Sequence, residues 1–186
     1  LLADILIRTI ISDKLGIKNK DIIFEKNEYG KPYLKNAGGF HFNESHAGEW
    51  VVCAVDDAPV GIDVERIRPI KFDIAERFFT KAECRDLLAK DAAEQLSYFY
   101  DLWTLKESYI KMAGRGLSIP LNSFAIRIDG DNIRIETKNE YGDCFFKQYK
   151  IDNGYKMAVC SLSGKFAEYI NIIKRQELIN NIQHLD

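Results

Sequence analysis

The sequence predicts an α+β protein made of two halves, each a long helix followed by short, mainly antiparallel strands. Apolar residues recur every three or four positions over residues 1–15 and again over residues 92–113. This is the period of a helix with one buried face. Residues 124–160 instead alternate between apolar and polar side chains, and Asp129-Gly130 and Asn153-Gly154 interrupt them as hairpin turns. The two periods together predict the mixed class.

The first half continues from the opening helix into short elements. Ile22-Ile23-Phe24 is predicted as a strand, and Tyr29-Gly30-Lys31-Pro32 is predicted as a turn. The polar run from Phe40 to Gly48 is predicted as a turn that leads into the apolar strand from Trp50 to Val55.

The second half begins near Pro59 with an acidic strand. Two helices are predicted around residues 73–77 and 81–90, and the long helix over 92–113 is expected to stop at Gly114. Strands are predicted over residues 124–128, 133–136, 144–149 and 155–160. The tail from Phe166 to His184 carries helix-compatible apolar residues.

Composition narrows the function classes. The chain has 186 residues, of which 46% are hydrophobic and 29% charged, enough to bury a substantial core. The net charge of -2 argues against a general affinity for nucleic acid or membranes. No apolar run approaches the ~20 residues that span a bilayer, and the start shows no secretion signal, so a cytoplasmic location is expected.

Two acidic residues on the strand after Pro59 suggest a metal site. Val60, Ile62 and Val64 are expected to face a core, which leaves Asp63 and Glu65 together on the opposite face. Carboxylates about 7 Å apart along one face can lean toward a single ion, and oxygen ligands favour magnesium, manganese or calcium. The alternative is a half-buried strand whose acids are simply solvated.

A second motif lies on the long helix. Glu107 and Lys111 are one helical turn apart, beside the apolar stripe, so a metal-binding carboxylate and a phosphate-binding ammonium can project together. That pairing suits a metal-bound diphosphate. The alternative is an ordinary surface ion pair.

The polar run before Trp50 supplies a third motif. Ser45 and His46 can donate hydrogen bonds to phosphate, and His46 can also transfer protons near neutral pH. The alternative for His46 is a purely structural role.

Four motifs occur in order: Gly30-Lys31-Pro32, Phe42-Asn43-x-Ser45-His46, Gly61-Ile62-Asp63-Val64-Glu65 and Trp103-x-x-Lys106-Glu107-x-x-x-Lys111. This ordered set resembles the 4′-phosphopantetheinyl transferases, and more narrowly the surfactin-synthetase-activating type. The similarity runs from Leu1 through the strand that ends at Cys160.

The resemblance implies two similar α+β lobes related by a pseudo-twofold axis, each with a long helix packed on a small, mainly antiparallel sheet. Residues 1–58 would form the N-terminal lobe and residues 59–186 the C-terminal lobe, which would carry the metal site and the carrier-binding surface. The active site is expected at the lobe junction. Relatives generally begin earlier than Leu1, with a strand and cationic residues near the coenzyme A 3′-phosphate.

The resemblance also implies the reaction. Phosphopantetheine would pass from coenzyme A to a serine hydroxyl of an apo acyl or peptidyl carrier protein, releasing adenosine 3′,5′-bisphosphate. The enzyme would act as a monomer that depends on magnesium, or on manganese in its place. No nucleic acid and no membrane would take part.

Residue by residue, the resemblance assigns Asp63, Glu65 and Glu107 as magnesium ligands and Lys111 as the pyrophosphate-binding lysine. Lys31, Ser45 and His46 match positions that hold coenzyme A phosphates, whereas Lys106 receives no contact.

Glu107 is the leading general base, directly or through a metal-bound water, and a hydroxide relay is the alternative. Arg66 and Arg68 are interpreted either as a basic surface for an acidic carrier or as solvated charges at a strand end.

Two rivals share these residues. A magnesium-dependent phosphodiesterase or nucleotide hydrolase would consume coenzyme A without a carrier. A catalytically idle carrier-binding module would bind without metal-dependent transfer.

Overall fold

The computed structural model describes residues 1–182, and only the backbone at residues 117, 181 and 182. This part of the chain forms five α-helices and nine β-strands. In chain order they are α1 (Leu2–Leu15), β1 (Phe24–Lys26), β2 (Pro32–Leu34), β3 (His41–Ala47), β4 (Trp50–Asp56), β5 (Val60–Arg66), α2 (Asp73–Phe78), α3 (Lys81–Leu88), α4 (Ala92–Ala113), β6 (Ala125–Asp129), β7 (Asn132–Glu136), β8 (Phe145–Tyr149), β9 (Tyr155–Ser161) and α5 (Arg175–Ile182). The α+β class predicted from the sequence is confirmed.

The first half packs α1 against small antiparallel sheets. Strands β1 and β2 pair with each other, and β3 pairs with β4 along its whole length. The core under α1 consists of five buried apolar residues: Ile7, Ile11, Ile22, Leu34 and Phe42. The apolar period over residues 1–15 therefore marks the buried face of α1, as predicted.

Two predictions in this half are wrong. The polar run predicted as a turn is strand β3, because Asn43 and Ser45 turn inward and find buried hydrogen-bond partners. The strand predicted over residues 22–24 instead begins at Phe24, since Ile22 follows a 3₁₀ turn and packs into the core beneath α1. The turn before Pro32 is present, and β2 follows it directly.

The second half packs α4 across the sheet β5-β9-β8. Val60, Ile62 and Val64 lie in one buried apolar cluster, as their alternation predicted. The opposite face of β5 is covered by α4, and Gly61 lies directly under the helix backbone at Ser108 and Met112. Helix α4 ends at Gly114, whose φ of 68° closes it in the left-handed conformation.

The two lobes meet where β3 lies beside β5. Asn43 Oδ1 accepts a hydrogen bond from the Ile62 amide at 2.9 Å, and Ser45 Oγ accepts one from the Val64 amide at 3.3 Å. Because both partners advance by two residues, the strands run in the same direction, although they belong to separate sheets. Side chains of β3 therefore replace backbone pairing at this junction.

The tail returns to the first lobe. Phe166 and Ile170 pack beside the β5–β9 cluster, and α5 then reaches α1, where Leu178 is buried. The helical prediction over residues 166–184 thus holds for α5, and its last residues, including His184, lie outside the described range. Among residues 1–182, no helix combines the length and apolar character needed to cross a bilayer.

Candidate active site

Three elements bring five of the predicted site residues to the lobe junction. Strand β3 carries Ser45, β5 carries Asp63 and Glu65, and α4 carries Glu107 and Lys111. The close approach of α4 at Gly61 fixes how the acidic face of β5 meets the helix.

Asp63 is the centre of this group. The residue is 4% exposed, and its Oδ1 accepts hydrogen bonds from Lys111 Nζ at 2.7 Å and from Ser45 Oγ at 3.0 Å. Lys111 Nζ also donates to Ser45 Oγ at 3.0 Å. A residue from each of three elements therefore meets at one carboxylate oxygen.

The other oxygen, Asp63 Oδ2, is buried without a hydrogen-bond partner. Burial raises the pKa of Asp63, and the nearby Lys111 and Ser45 oppose this by favouring the ionised form. A buried carboxylate oxygen with a free lone pair is a suitable ligand for a cation.

Glu65 and Glu107 lie close enough to Asp63 to interact with its charge. Burial raises the pKa of each, and repulsion from Asp63 raises it further. The pKa of Glu65 is also raised by Glu107, while Lys111 lowers both. The three acids thus form one electrostatic group in which like charges oppose ionisation.

The metal prediction meets a mixed result. Within residues 1–182, no group of three or more His, Cys, Asp or Glu side chains is gathered closely enough to hold an ion. Asp63 Oδ1, one of the two oxygens that could bind an ion, accepts a hydrogen bond from Lys111 Nζ instead. The donor set nevertheless fits a hard cation, because all three acids are oxygen ligands, they repel one another, and Asp63 Oδ2 has no partner.

A pocket of about 250 Å³ opens beside this group. Glu107 and Lys111 line it together with residues that share no single element: Tyr29, Gly30, Lys31, Pro32, Asn43, Ile110, Gly114 and Gly116. The loop before β2 thus forms one wall, and the C-terminal half of α4 forms the other.

The remaining predicted residues lie in different settings. His46 is exposed near the end of β3. Lys31 lines the pocket, but its ammonium donates to the backbone carbonyls of Val60 at 2.9 Å and Met112 at 3.2 Å. It is therefore held by the protein rather than directed at the pocket.

Lys106, which the motif left without a contact, is fully buried. Its ammonium donates to Glu83 Oε1 at 2.7 Å and to the Phe124 carbonyl at 2.7 Å, and it lies 4.3 Å from the centre of the Phe124 ring. Glu83 in turn accepts hydrogen bonds from Thr80 and from the Ile126 amide. Lys106 therefore ties α4 to α3 directly, and to β6 through Glu83 and the residue that precedes the strand.

Two residues that support the site received no role from the sequence. Asn43 lines the pocket and supports β5, and its two-residue spacing from Ser45 would have placed both on one strand face. Glu83 belongs to the capping box Thr80-x-x-Glu83 at the start of α3, a pattern that is visible in the sequence.

Comparison with known proteins covers both halves of the chain. The family model of the 4′-phosphopantetheinyl transferase superfamily matches residues 59–160, and the model of the N-terminal part of 4′-phosphopantetheinyl transferases matches residues 1–58.

Individual relatives extend this match. The 4′-phosphopantetheinyl transferase Sfp of Bacillus subtilis is 48% identical over 96% of this chain and 80% of its own length. The 4′-phosphopantetheinyl transferase psf-1 of Bacillus pumilus is 41% identical over 100% of this chain and 80% of its own. A solved holo-(acyl-carrier-protein) synthase from Bacillus anthracis, in complex with coenzyme A, aligns with a TM-score of 0.49 and 17% identity over 55% of this chain and 93% of its own.

Proposed function

Because the chain belongs to the 4′-phosphopantetheinyl transferase superfamily, we propose that it transfers phosphopantetheine from coenzyme A to a serine of an apo acyl or peptidyl carrier protein. The products are the holo carrier and adenosine 3′,5′-bisphosphate. The observation that carries this proposal is the meeting of Ser45, Asp63 and Lys111 at one carboxylate oxygen, beside a pocket that Glu107 also lines.

The acidic group is proposed to hold magnesium, or manganese in its place, through Asp63, Glu65 and Glu107. The partnerless Asp63 Oδ2 and the mutual repulsion of the three acids support this assignment. A bound ion would neutralise charge on the phosphate oxygens of coenzyme A. Lys111 would then exchange its bond with Asp63 for a pyrophosphate oxygen.

Coenzyme A is assigned to the pocket beside Lys111. Lys111 contributes a cation where negative charge grows on the leaving phosphate. Ser45 Oγ lies 3.0 Å from Lys111 Nζ, and its hydroxyl, which donates to Asp63 Oδ1 in this structure, would turn to a phosphate bound beside Lys111. His46 is exposed, and as the neighbour of Ser45 on a strand it leaves from the opposite face of β3, so its assignment to a phosphate or to proton transfer rests on the resemblance alone. Lys31 completes the assigned set as a wall residue.

The serine hydroxyl of the carrier must lose its proton as it attacks phosphorus. Glu107 is the proposed base, because it lines the pocket and burial raises its pKa above that of an ordinary glutamate. A glutamine at this position keeps the shape of the side chain but cannot accept the proton. If Glu107→Gln turns over normally while metal affinity is unchanged, this role is excluded.

The carrier is proposed to dock on the basic stretch that begins at the last residue of β5. Arg66 and Arg68 are exposed, and Lys71 and Arg77 border a shallow depression of about 290 Å³ that also includes Asp73. Such a surface complements an acidic partner. Replacing Arg66 and Arg68 by glutamine is expected to raise the KM for the carrier, but not for coenzyme A, most strongly at low salt.

The proposed organisation is a monomer with lobes at residues 1–58 and 59–186, and the two family models divide at the same point. Since coenzyme A is supplied inside cells, the reaction is assigned to the cytoplasm.

The test is intact-protein mass spectrometry of an apo carrier incubated with the protein, coenzyme A and magnesium. A gain of one phosphopantetheine that needs the metal and the carrier serine is expected, with EDTA and a Ser→Ala carrier as controls. Breakdown of coenzyme A without a carrier would indicate the hydrolase instead. Carrier binding without any mass gain would indicate the idle module.

A further inference from the structure

The loop between β1 and β2 is fastened to the C-terminal end of α4, across the lobe junction. Asn27 Nδ2 donates to the Gly114 carbonyl at 2.7 Å, and Lys31 Nζ donates to the Met112 carbonyl at 3.2 Å. The last carbonyls of a helix have no partner within the helix, so outside donors such as these are favourable there. Lys31 also reaches the Val60 carbonyl at the start of β5.

Asn27 also determines the shape of the loop itself. Its Oδ1 accepts hydrogen bonds from the Tyr29 amide at 3.0 Å and from the Lys31 amide at 2.9 Å. The backbone amide of Asn27 donates to the Lys31 carbonyl, and the backbone carbonyl of Asn27 accepts from the Gly30 amide, both at 3.0 Å. One side chain thus holds the loop by its oxygen and ties that loop to α4 by its nitrogen.

Gly114 makes this close approach possible. A Cβ at this position would lie 3.0 Å from Lys31 Cδ and 3.3 Å from Asn27 Nδ2. The guanidinium of Arg115, the next residue, lies 5.7 Å from the centre of the Tyr29 ring and adds a cation–π contact across the same gap.

The two fastened segments are the two walls of the pocket. Tyr29, Gly30 and Lys31 line one side, while Glu107 and Lys111 line the other. The fastening therefore holds the two walls together at Met112 and Gly114, within about two helical turns of Glu107 and Lys111.

We infer that Asn27 and Lys31 are positioning residues that clasp the pocket wall to α4, and that coenzyme A affinity depends on this clasp. The inference rests on the proposed function of the pocket. It assigns Lys31 a different role from a phosphate ligand, because its ammonium is bound to two backbone carbonyls. Lys31 acts on coenzyme A through the position of the loop.

Asn27→Asp tests the clasp with little change in shape. The aspartate keeps the oxygen that organises the loop, but it replaces the donor to Gly114 with a second acceptor, which the carbonyl repels. The matched control is Asn132→Asp, which makes the same change in charge at an exposed position on β7. The loss of one hydrogen bond, together with the added repulsion, corresponds to roughly a tenfold loss of coenzyme A affinity.

The expected result is a KM and a Kd for coenzyme A that rise about tenfold in Asn27→Asp, with the KM for the carrier unchanged. A merely structural role would lower the melting temperature without separating the two KM values. Equal coenzyme A affinity in Asn27→Asp and Asn132→Asp would overturn the clasp.

A double-mutant cycle keeps the proposal falsifiable if one variant folds poorly. Lys31→Met keeps the length of the side chain and removes the ammonium. Combined with Asn27→Asp, it is expected to cost little more coenzyme A affinity than the worse single variant, because both break one clasp. If the fold losses of coenzyme A affinity in the two single variants multiply in the double variant, Lys31 contacts coenzyme A independently, which contradicts the clasp.

Coenzyme A binding by the unmodified protein separates the two claims. If the protein binds coenzyme A but transfers nothing, the proposed function fails. The Kd values for coenzyme A of Asn27→Asp and Asn132→Asp still test the clasp in that case. If it binds no coenzyme A, both fail.

Discussion

Gly61→Ala is expected to disturb stability and catalysis together, because α4 lies directly on this glycine. A Cβ there would lie 2.9 Å from the Lys111 carbonyl carbon, and closer still to Ser108 O and Met112 N. Carbon atoms in contact are normally about 3.5–4.0 Å apart, so α4 must move by roughly 1 Å. All three obstacles are backbone atoms, which cannot rotate away as a flexible side chain could.

Such overpacking typically costs about 1–3 kcal/mol of unfolding free energy. The same shift moves Glu107 and Lys111 relative to Asp63, and a misplacement of about 1 Å can cost about 100-fold in rate. Urea denaturation measures the first effect, and carrier-transfer kinetics at a temperature where the protein is folded measure the second.

Gly38→Ala is the matched control. A Cβ at Gly38 would meet no atom within 4 Å, and neither Gly38 nor Gly61 has a positive φ. If Gly61→Ala matches this control in both stability and kcat/KM, the close approach of α4 to β5 does not position the site.

Three further predictions concern buried polar groups. Lys106→Met leaves the buried Glu83 carboxylate without its cation and is expected to lower the unfolding free energy by about 3–5 kcal/mol; an unchanged melting temperature would contradict this. Ser45→Ala removes the acceptor of the buried Val64 amide, so urea denaturation should show a loss of about 1–3 kcal/mol, and no loss would refute the junction bond. Burial lowers the pKa of Lys31 from 10.5 to about 8, so the unfolded chain binds more protons between these values and stability rises with pH across that window. The unfolding free energy of the unmodified protein, minus that of Lys31→Met, should therefore rise from pH 8 to pH 10.5. A difference that stays constant over this range would contradict the prediction.

The regular elements of the second half could be predicted because each shows a clear period. The alternation of Val60, Ile62 and Val64 matches their buried face on β5, and the helical period over residues 92–113 coincides with α4. The apolar face of β5 packs into one buried cluster, and the apolar stripe of α4 packs into another.

Strand β3 could not be predicted in the same way, because its inward residues are polar. Asn43 and Ser45 are buried only because β5, a neighbour from the other lobe, supplies amide donors to them. A sequence pattern shows polarity but not the partner that satisfies it. The same reasoning applies to Lys106, whose partner Glu83 is 23 residues away on another helix.

The site residues were recognisable as types, but their partners were not. Spacing alone indicated that Glu107 and Lys111 share a helix face. It did not indicate that Lys111 would bond to Asp63, or that the ammonium of Lys31 would be held by Val60 and Met112. These contacts depend on how the two lobes come together.

The most direct test of the role of Asp63 is the rate of phosphopantetheine transfer by Asp63→Asn, measured in a single turnover with saturating coenzyme A and magnesium. Asp131→Asn, at an exposed turn, is the control for the same chemical change. We expect Asp63→Asn to be slower by at least about 100-fold, while Asp131→Asn keeps the normal rate. Equal rates in the two variants would show that the lobe-junction carboxylate does not carry the reaction.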